Sequence, residues 1–172
     1  MAQIEPHEGR VFRRGQNTQV VRKIFEDESE KIRQGWLSRR RAERRGSAAR
    51  DEFREKADDW RARITYRLVK QLVRCGHGAV LDDMMSNVDR RHAGRHDIAG
   101  QWFKQALFLI FGWSPLAEPF MSRNHRSVLG SALEYAYRHN VPSKYVCGFI
   151  KQVGLKEAAK KLKHGYREPG FN

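Results

Sequence analysis

Five arginines fall within seven consecutive positions of this chain: Arg39, Arg40, Arg41, Arg44 and Arg45. A second basic set lies near the other end and comprises Lys151, Lys156, Lys160, Lys161, Lys163 and Arg167. Cationic groups at this density share one chemistry. They neutralise phosphates, often through bidentate guanidinium hydrogen bonds, and release condensed counterions. Residues 39–45 can follow a phosphate backbone whether helical or extended. At helical spacing Lys156, Lys160 and Lys163 share a face opposite Leu155, Ala158, Ala159 and Leu162. The outer faces of ordinary surface helices carry charge in the same way, so the distribution must decide. Residues 1–50 hold thirteen Lys or Arg against seven acids, residues 51–121 eleven against ten, and residues 122–172 ten against three. The net charge of +14 is therefore concentrated at the two ends of the chain. A nearly neutral middle with positive extremities points to a polyanionic partner, most simply nucleic acid.

Other chemistries find less support. Cys75 and His77, with His92 and His96, number four potential zinc ligands, but Cys-x-His is a poor knuckle spacing and Gly94 separates the two histidines. The competing reading is a buried thiol at a helix end and surface histidines among arginines. Asp82, Asp83, Asp89, His92, His96 and Asp97 crowd one region, as a metal-dependent nuclease requires, without a recognisable spacing. Gly76 and Gly78 lack the Lys-Ser/Thr of a phosphate-binding loop, no Gly-x-Ser-x-Gly occurs, and Cys147 lies on an apolar helix face that suits packing. Neither cofactor nor metal is expected, and no enzymatic activity.

The positioning elements read as helices. The densest apolar stretch is 101–121, in which Trp102, Ala106, Leu109 and Trp113, and Phe103, Leu107, Ile110 and Phe111, recur at helical spacing. A helix apolar nearly all round belongs in a core, so 98–111 is expected to form a buried central helix ended by Gly112. Its rings could also stack nucleic-acid bases, but packing alone produces such a stripe. Upstream, Asn17-Thr18 offers an N-cap to a pattern in which Val20, Val21, Ile24, Phe25, Ile32 and Trp36 lie near one face. Gly35 leaves one long helix or two shorter ones open. The acids Glu26, Asp27, Glu28 and Glu30 precede the arginine cluster, an order that suits the helix dipole. Residues 48–74 form an amphipathic helix on Phe53, Ala57, Trp60, Ile64, Leu68 and Leu72, and 80–88 a short one. The spans 126–139, 142–153 and 155–163 close the chain, with Pro142 in a first turn and Gly154 and Gly165 at ends. No alternating run reads as a strand.

Two tests bear on nucleic-acid type. The last two helices, joined at Gly154, have lengths that suit a helix-turn-helix, but the turn looks too tight and the apolar positions match poorly. The sequence Val141-Pro142-Ser143-Lys144 leading into an amphipathic helix resembles the C-terminal part of the FinO/ProQ-type RNA-chaperone domain. The later part of that pattern is not recognisable in this chain, and the resemblance only keeps structured RNA among the candidates.

The expectation is thus an all-α protein, compact around the aromatic helix at 98–111, with residues 1–47 as a basic arm and helix and residues 48–172 as a helical core with basic C-terminal helices. Residues 1–16 show no period and read as a mobile or partner-ordered arm that Val11 and Phe12 could pin. The expected function is non-enzymatic and regulatory: nucleic-acid binding through phosphates, with DNA slightly favoured over RNA on prior alone. The alternative is an adaptor or inhibitor, or a homodimer, docking through the amphipathic helix at 18–36. An RNA chaperone or a metal-dependent nuclease comes third. Two cysteines make no disulfide framework, residues 1–14 lack an apolar leader, and no stretch is long enough for a bilayer. A cytoplasmic protein without membrane contact is expected.

Overall fold

The computed structural model describes residue 9 and residues 11–46, 55–88, 98–112 and 120–170. They form seven α-helices: α1 (Thr18–Arg45), α2 (Ala57–Arg74), α3 (Ala79–Ser86), α4 (Trp102–Phe111), α5 (Arg123–Arg138), α6 (Val146–Val153) and α7 (Leu155–Lys163). A 3-10 turn, Ser143–Tyr145, leads into α6. There is no strand among the described residues, so the fold is all-α as the periodicities imply.

Asn17 caps α1 by accepting the Gln19 N–H at 2.8 Å. The helix then runs unbroken past Gly35. That glycine is a notch and not a weak point, because a Cβ there would lie 2.5 Å from Cη2 of Trp60 on α2. Trp60 is 1% exposed. The acids of α1 do not serve the dipole, since none lies in the first turn. They pair instead with neighbours one turn away: Arg22–Glu26, Lys23–Asp27, Glu28–Lys31 and Glu30–Arg33.

The apolar face of α1 is already taken. Val21, Phe25, Ile32 and Trp36 belong to the same buried cluster as α2, α4 and α5. This corrects the docking role expected for residues 18–36: the face a partner would need packs against the chain's own core. Val20, 49% exposed, is the one large apolar residue of that stripe left on the surface.

Helix α4 is the centre. It contacts α1, α2, α3 and α5, and Phe103, Ala106, Leu107, Ile110 and Phe111 are buried. Phe103 stacks on Tyr66 with centroids 5.6 Å apart, and Phe111 meets Trp36 edge-on at 5.7 Å. The helix starts at Trp102, later than the pattern at 98 suggests, because Gly100 turns the chain with φ +69°. It is also not wholly apolar. Buried Gln105 donates to Asp82 at 2.6 Å, and Asp82 accepts the Gly100 N–H at 2.9 Å as well. That carboxylate anchors α3 to the entry of α4.

The described residues nearest each end are tied to the body. Phe12 is fully buried, Val11 N–H donates to Gln71 at 3.2 Å, and the His77 ring meets the Arg13 carbonyl at 2.8 Å. Residues 11–16 are therefore pinned, while residues 1–8 and 10 of the expected arm lie outside the described residues. At the far end, Glu168 N–H donates to Nε2 of buried His139 at 2.8 Å, and Tyr135 donates to the Glu168 carboxylate at 3.0 Å. Between α6 and α7 there is a single residue, Gly154, with φ +89°. A helix-turn-helix needs a three- to four-residue turn, so this pair does not form one.

The notch gives a test with opposite signs. Gly35→Ala should lower stability by about 1–3 kcal/mol, because the buried indole must shift. Gly148→Ala, at an α6 position with nothing within 4 Å, should raise stability by roughly 0.5–1 kcal/mol through backbone entropy. Urea midpoints of the two variants check both.

Candidate nucleic-acid interface

The C-terminal half of α1 faces the start of α2 and the start of α5 across an open groove of about 540 Å³. Its lining includes Arg40, Arg41 and Arg44 from α1, Asp58 and Arg61 from α2, and Phe120, Ser122 and His125 at the entry of α5, with Trp36 beside them. Local sequence explains each wall. Helix α2 has no side-chain cap of its own at Lys56. The Ala57 N–H instead donates to Glu43 of α1 at 2.8 Å. That bond draws the arginine-rich end of α1 onto the first turn of α2. Helix α5 is capped by Ser122, whose hydroxyl accepts the His125 N–H at 3.3 Å.

Arg61 is 3% exposed, an unusual place for a cation. Its guanidinium lies 5.2 Å from the Trp36 ring and 5.6 Å from Phe111, and it pairs with Asp58 at 3.1 Å. Trp36 Nε1–H donates to the same carboxylate at 3.3 Å. Burial pulls the Arg61 pKa down from its ordinary value, Asp58 opposes that, and the like charge of Arg40 adds to it. A guanidinium keeps its proton under such a shift. Arg40 pairs with Glu43 at 3.2 Å and lies 5.9 Å from the Trp36 ring. Phe120 meets Trp36 edge-on at 6.2 Å. The groove therefore has an aromatic wall, cations layered on it, and one carboxylate that is already engaged. Its chemistry is that of an anion site next to a flat apolar surface.

The sequence-predicted cations divide three ways. Arg40, Arg41 and Arg44 reach the groove, and Arg45 is exposed beside them. Arg39 does not join them, and this is a correction. It is 7% exposed, lies 4.0 Å over the Trp60 ring, and donates to the Gly35 carbonyl at 3.3 Å. It is part of the α1–α2 contact. In the C-terminal set, Lys151 is paired with Asp59, Lys160 with Glu157 and Lys161 with Glu168. Lys156, Lys163 and Arg167 are exposed and have no carboxylate partner among the described residues.

Sequence reasoning missed Arg61, Trp36, Phe120, Ser122 and His125. A signal existed for Arg61, which stands four residues after Ala57 and three before Ile64, on the edge of the buried stripe. None existed for Phe120 or His125, which only the tertiary fold brings in. Of the zinc candidates, Cys75 donates to the Phe12 carbonyl at 3.4 Å and His77 contacts that of Arg13. His92, His96, Asp89 and Asp97 lie outside the described residues. Among the described residues no three His, Cys, Asp or Glu side chains form a metal-capable group, and no helix is long and apolar enough to cross a membrane. Comparison of the chain with protein-family models, curated proteins and solved structures found no match.

The groove and its edge can be probed in two ways. Arg39→Ala should cost about 1–2 kcal/mol of stability, whereas Arg41→Ala should stay within about 0.5 kcal/mol, both read by chemical denaturation. His125 is held below its ordinary pKa of 6.5 by burial, then by the charge of Arg61, with Asp58 opposing. The unfolded chain then binds the proton more readily than the folded one. Stability must fall as pH drops through and below 6.5, and the fall should be smaller in His125→Gln. Denaturation midpoints at pH 7 and pH 5 measure the difference.

Proposed function

We propose that this protein binds nucleic acid without transforming it, holding the phosphates through the groove between α1, α2 and α5 and through the exposed cations of α7. The observation that carries this reading is the convergence of Arg40, Arg41, Arg44 and Arg61 on one groove whose described lining has a single carboxylate, Asp58. Four cations gathered from two helices are more than a solvated helix face would place together. Lys156, Lys163 and Arg167 supply a second patch with no carboxylate partner among the described residues to displace. Both DNA and RNA are partners under this reading, because phosphate contacts read neither base nor sugar, with DNA slightly favoured. A regulatory role in the cytoplasm is part of the proposal.

The test is a salt series on duplex DNA, single-stranded DNA and structured RNA. Affinity should fall steeply with salt on at least one of them. Replacing Arg41, Arg44 and Arg45 by Ala should reduce the magnitude of the log–log slope by about 2–3, on the order of one per lost phosphate contact. Affinity that does not respond to salt, or a slope untouched by the triple variant, would refute the proposal.

A further inference from the structure

We infer that the groove receives the terminal phosphate of a nucleic-acid strand, with the end nucleotide lying along Phe120 and the edge of Trp36. This rests on the nucleic-acid reading above and sharpens it from backbone to strand end.

Shape favours a strand end. A concave site of about 540 Å³ has the size of a cleft for a small ligand. A duplex presents a convex backbone that lies across such a mouth. A chain end or a single nucleotide fits inside it.

Charge favours a terminal phosphate. Asp58 is occupied by Arg61 and by the Trp36 N–H, and Arg40 is paired with Glu43. Arg41 and Arg44 are exposed and have no carboxylate partner among the described residues. They stand three residues apart on α1, so their side chains leave the helix about 5–6 Å from one another. Two forks at that separation can converge on one small anion. A phosphomonoester carries about −1.5 to −2 charge near neutral pH and three terminal oxygens. A backbone diester offers one charge and two free oxygens. The monoester is the better match to two bidentate donors.

The aromatic wall favours a nucleotide over a bare anion. Phe120 is half-buried and faces the groove at a steep angle to Trp36. Inorganic phosphate would leave that apolar surface wet. A nucleotide covers it with sugar and base, in the manner by which proteins stack single-stranded ends. The first turn of α5 borders the same space through Ser122 and His125.

The experiment uses the full chain and four single-stranded oligonucleotides of one sequence: 5′-phosphorylated, 3′-phosphorylated, hydroxyl at both ends, and covalently closed into a circle. Fluorescence anisotropy at fixed salt reads affinity, and a nucleoside 5′-monophosphate serves as free competitor. One phosphorylated end should bind about tenfold tighter than the hydroxyl-ended strand and the circle. Arg41→Lys with Arg44→Lys keeps the charge and removes the forks; it should abolish that preference while leaving the salt slope. Lys156→Ala with Lys163→Ala should weaken all four alike and keep the preference. Equal affinity for all four strands, with salt-dependent binding intact, overturns the strand-end site and spares the backbone reading. Tight binding of the nucleoside monophosphate without discrimination among the strands also overturns the strand end, and makes a free nucleotide the occupant. Failure to bind any of them overturns both.

Discussion

The structure depends on one contact, the seating of the Trp60 indole in the notch that Gly35 leaves in α1. A methyl at that position would stand 2.5 Å from the ring, so the indole lies directly against the α1 backbone. Arg39, one turn further along α1, lies over the same indole at 4.0 Å. The ring is thus gripped by a missing side chain and a long one. The indole N–H is buried without a partner among the described residues, a cost of about 1–3 kcal/mol that the packing must outweigh. The consequences along α1 are geometric. With α1 and α2 fixed at Gly35 and Trp60, Glu43 falls at the first turn of α2 and caps it. The next arginines of α1 then face Asp58 and Arg61, and the groove exists because the crossing point is where it is.

The excess of positive charge is only partly a surface property. Arg39 and Arg61 are buried on aromatic rings. Lys70, 7% exposed, donates to the Val141 carbonyl at 2.6 Å, next to the Tyr66 hydroxyl, which donates to the same oxygen at 2.7 Å. Burial lowers the Lys70 pKa to about 8, with Arg74 adding to the effect. Arg33 donates to the Ile110 carbonyl at 3.0 Å and thereby ties α1 to the C-terminal end of α4. Arg33 thus satisfies a carbonyl that the end of α4 leaves open, and Lys70 one in the connection after α5. A count of Lys and Arg therefore overstates what any partner can meet. Within the two predicted clusters, the cations that stay exposed and without a carboxylate among the described residues are a smaller set, Arg41, Arg44 and Arg45 in one and Lys156, Lys163 and Arg167 in the other.

Most of the helical architecture is legible in the sequence, because a buried helix must repeat its apolar residues every three or four positions. The core role of 102–111 and the stripe from Ala57 to Leu72 follow from that rule alone. Gly35 is not legible, because propensity treats a mid-helix glycine as a cost, and only the partner ring shows it as a fit. The fate of Arg39 is legible in principle: Ile32, Trp36 and Arg39 are spaced by four and three, so Arg39 continues the buried stripe. Membership of an arginine cluster hides that position. The 3-10 turn at Ser143–Tyr145 replaces the first turn of a longer helix, because Pro142 sits at ψ 142°, in extended backbone outside the helix. The groove is half legible. Its arginines announce themselves by density. Its aromatic wall and the entry of α5 come from residues far along the chain that periodicity cannot relate.

The groove also combines two kinds of cation, and the combination bears on what it can discriminate. Arg61 is held by Asp58 and by two rings, so its orientation is set and its desolvation was met during folding. Arg41 and Arg44 stand in water with their rotamers free. A ligand that needs only charge gains as much from mobile groups as from fixed ones, since counterion release is indifferent to orientation. A ligand whose oxygens must meet donors at defined angles gains from the fixed group and orders the mobile ones at a cost of roughly 0.5–1.5 kcal/mol each. Under the proposed function, backbone phosphates passing over the exposed face of α7 would belong to the first kind. A ligand entering between Trp36, Phe120 and Arg61 would belong to the second. Arg61, like Arg39, is buried against an indole of the neighbouring helix and so serves the packing of α1 on α2. Under the proposed function, that fixed guanidinium would also orient a ligand entering the groove, while the mobile arginines would supply charge.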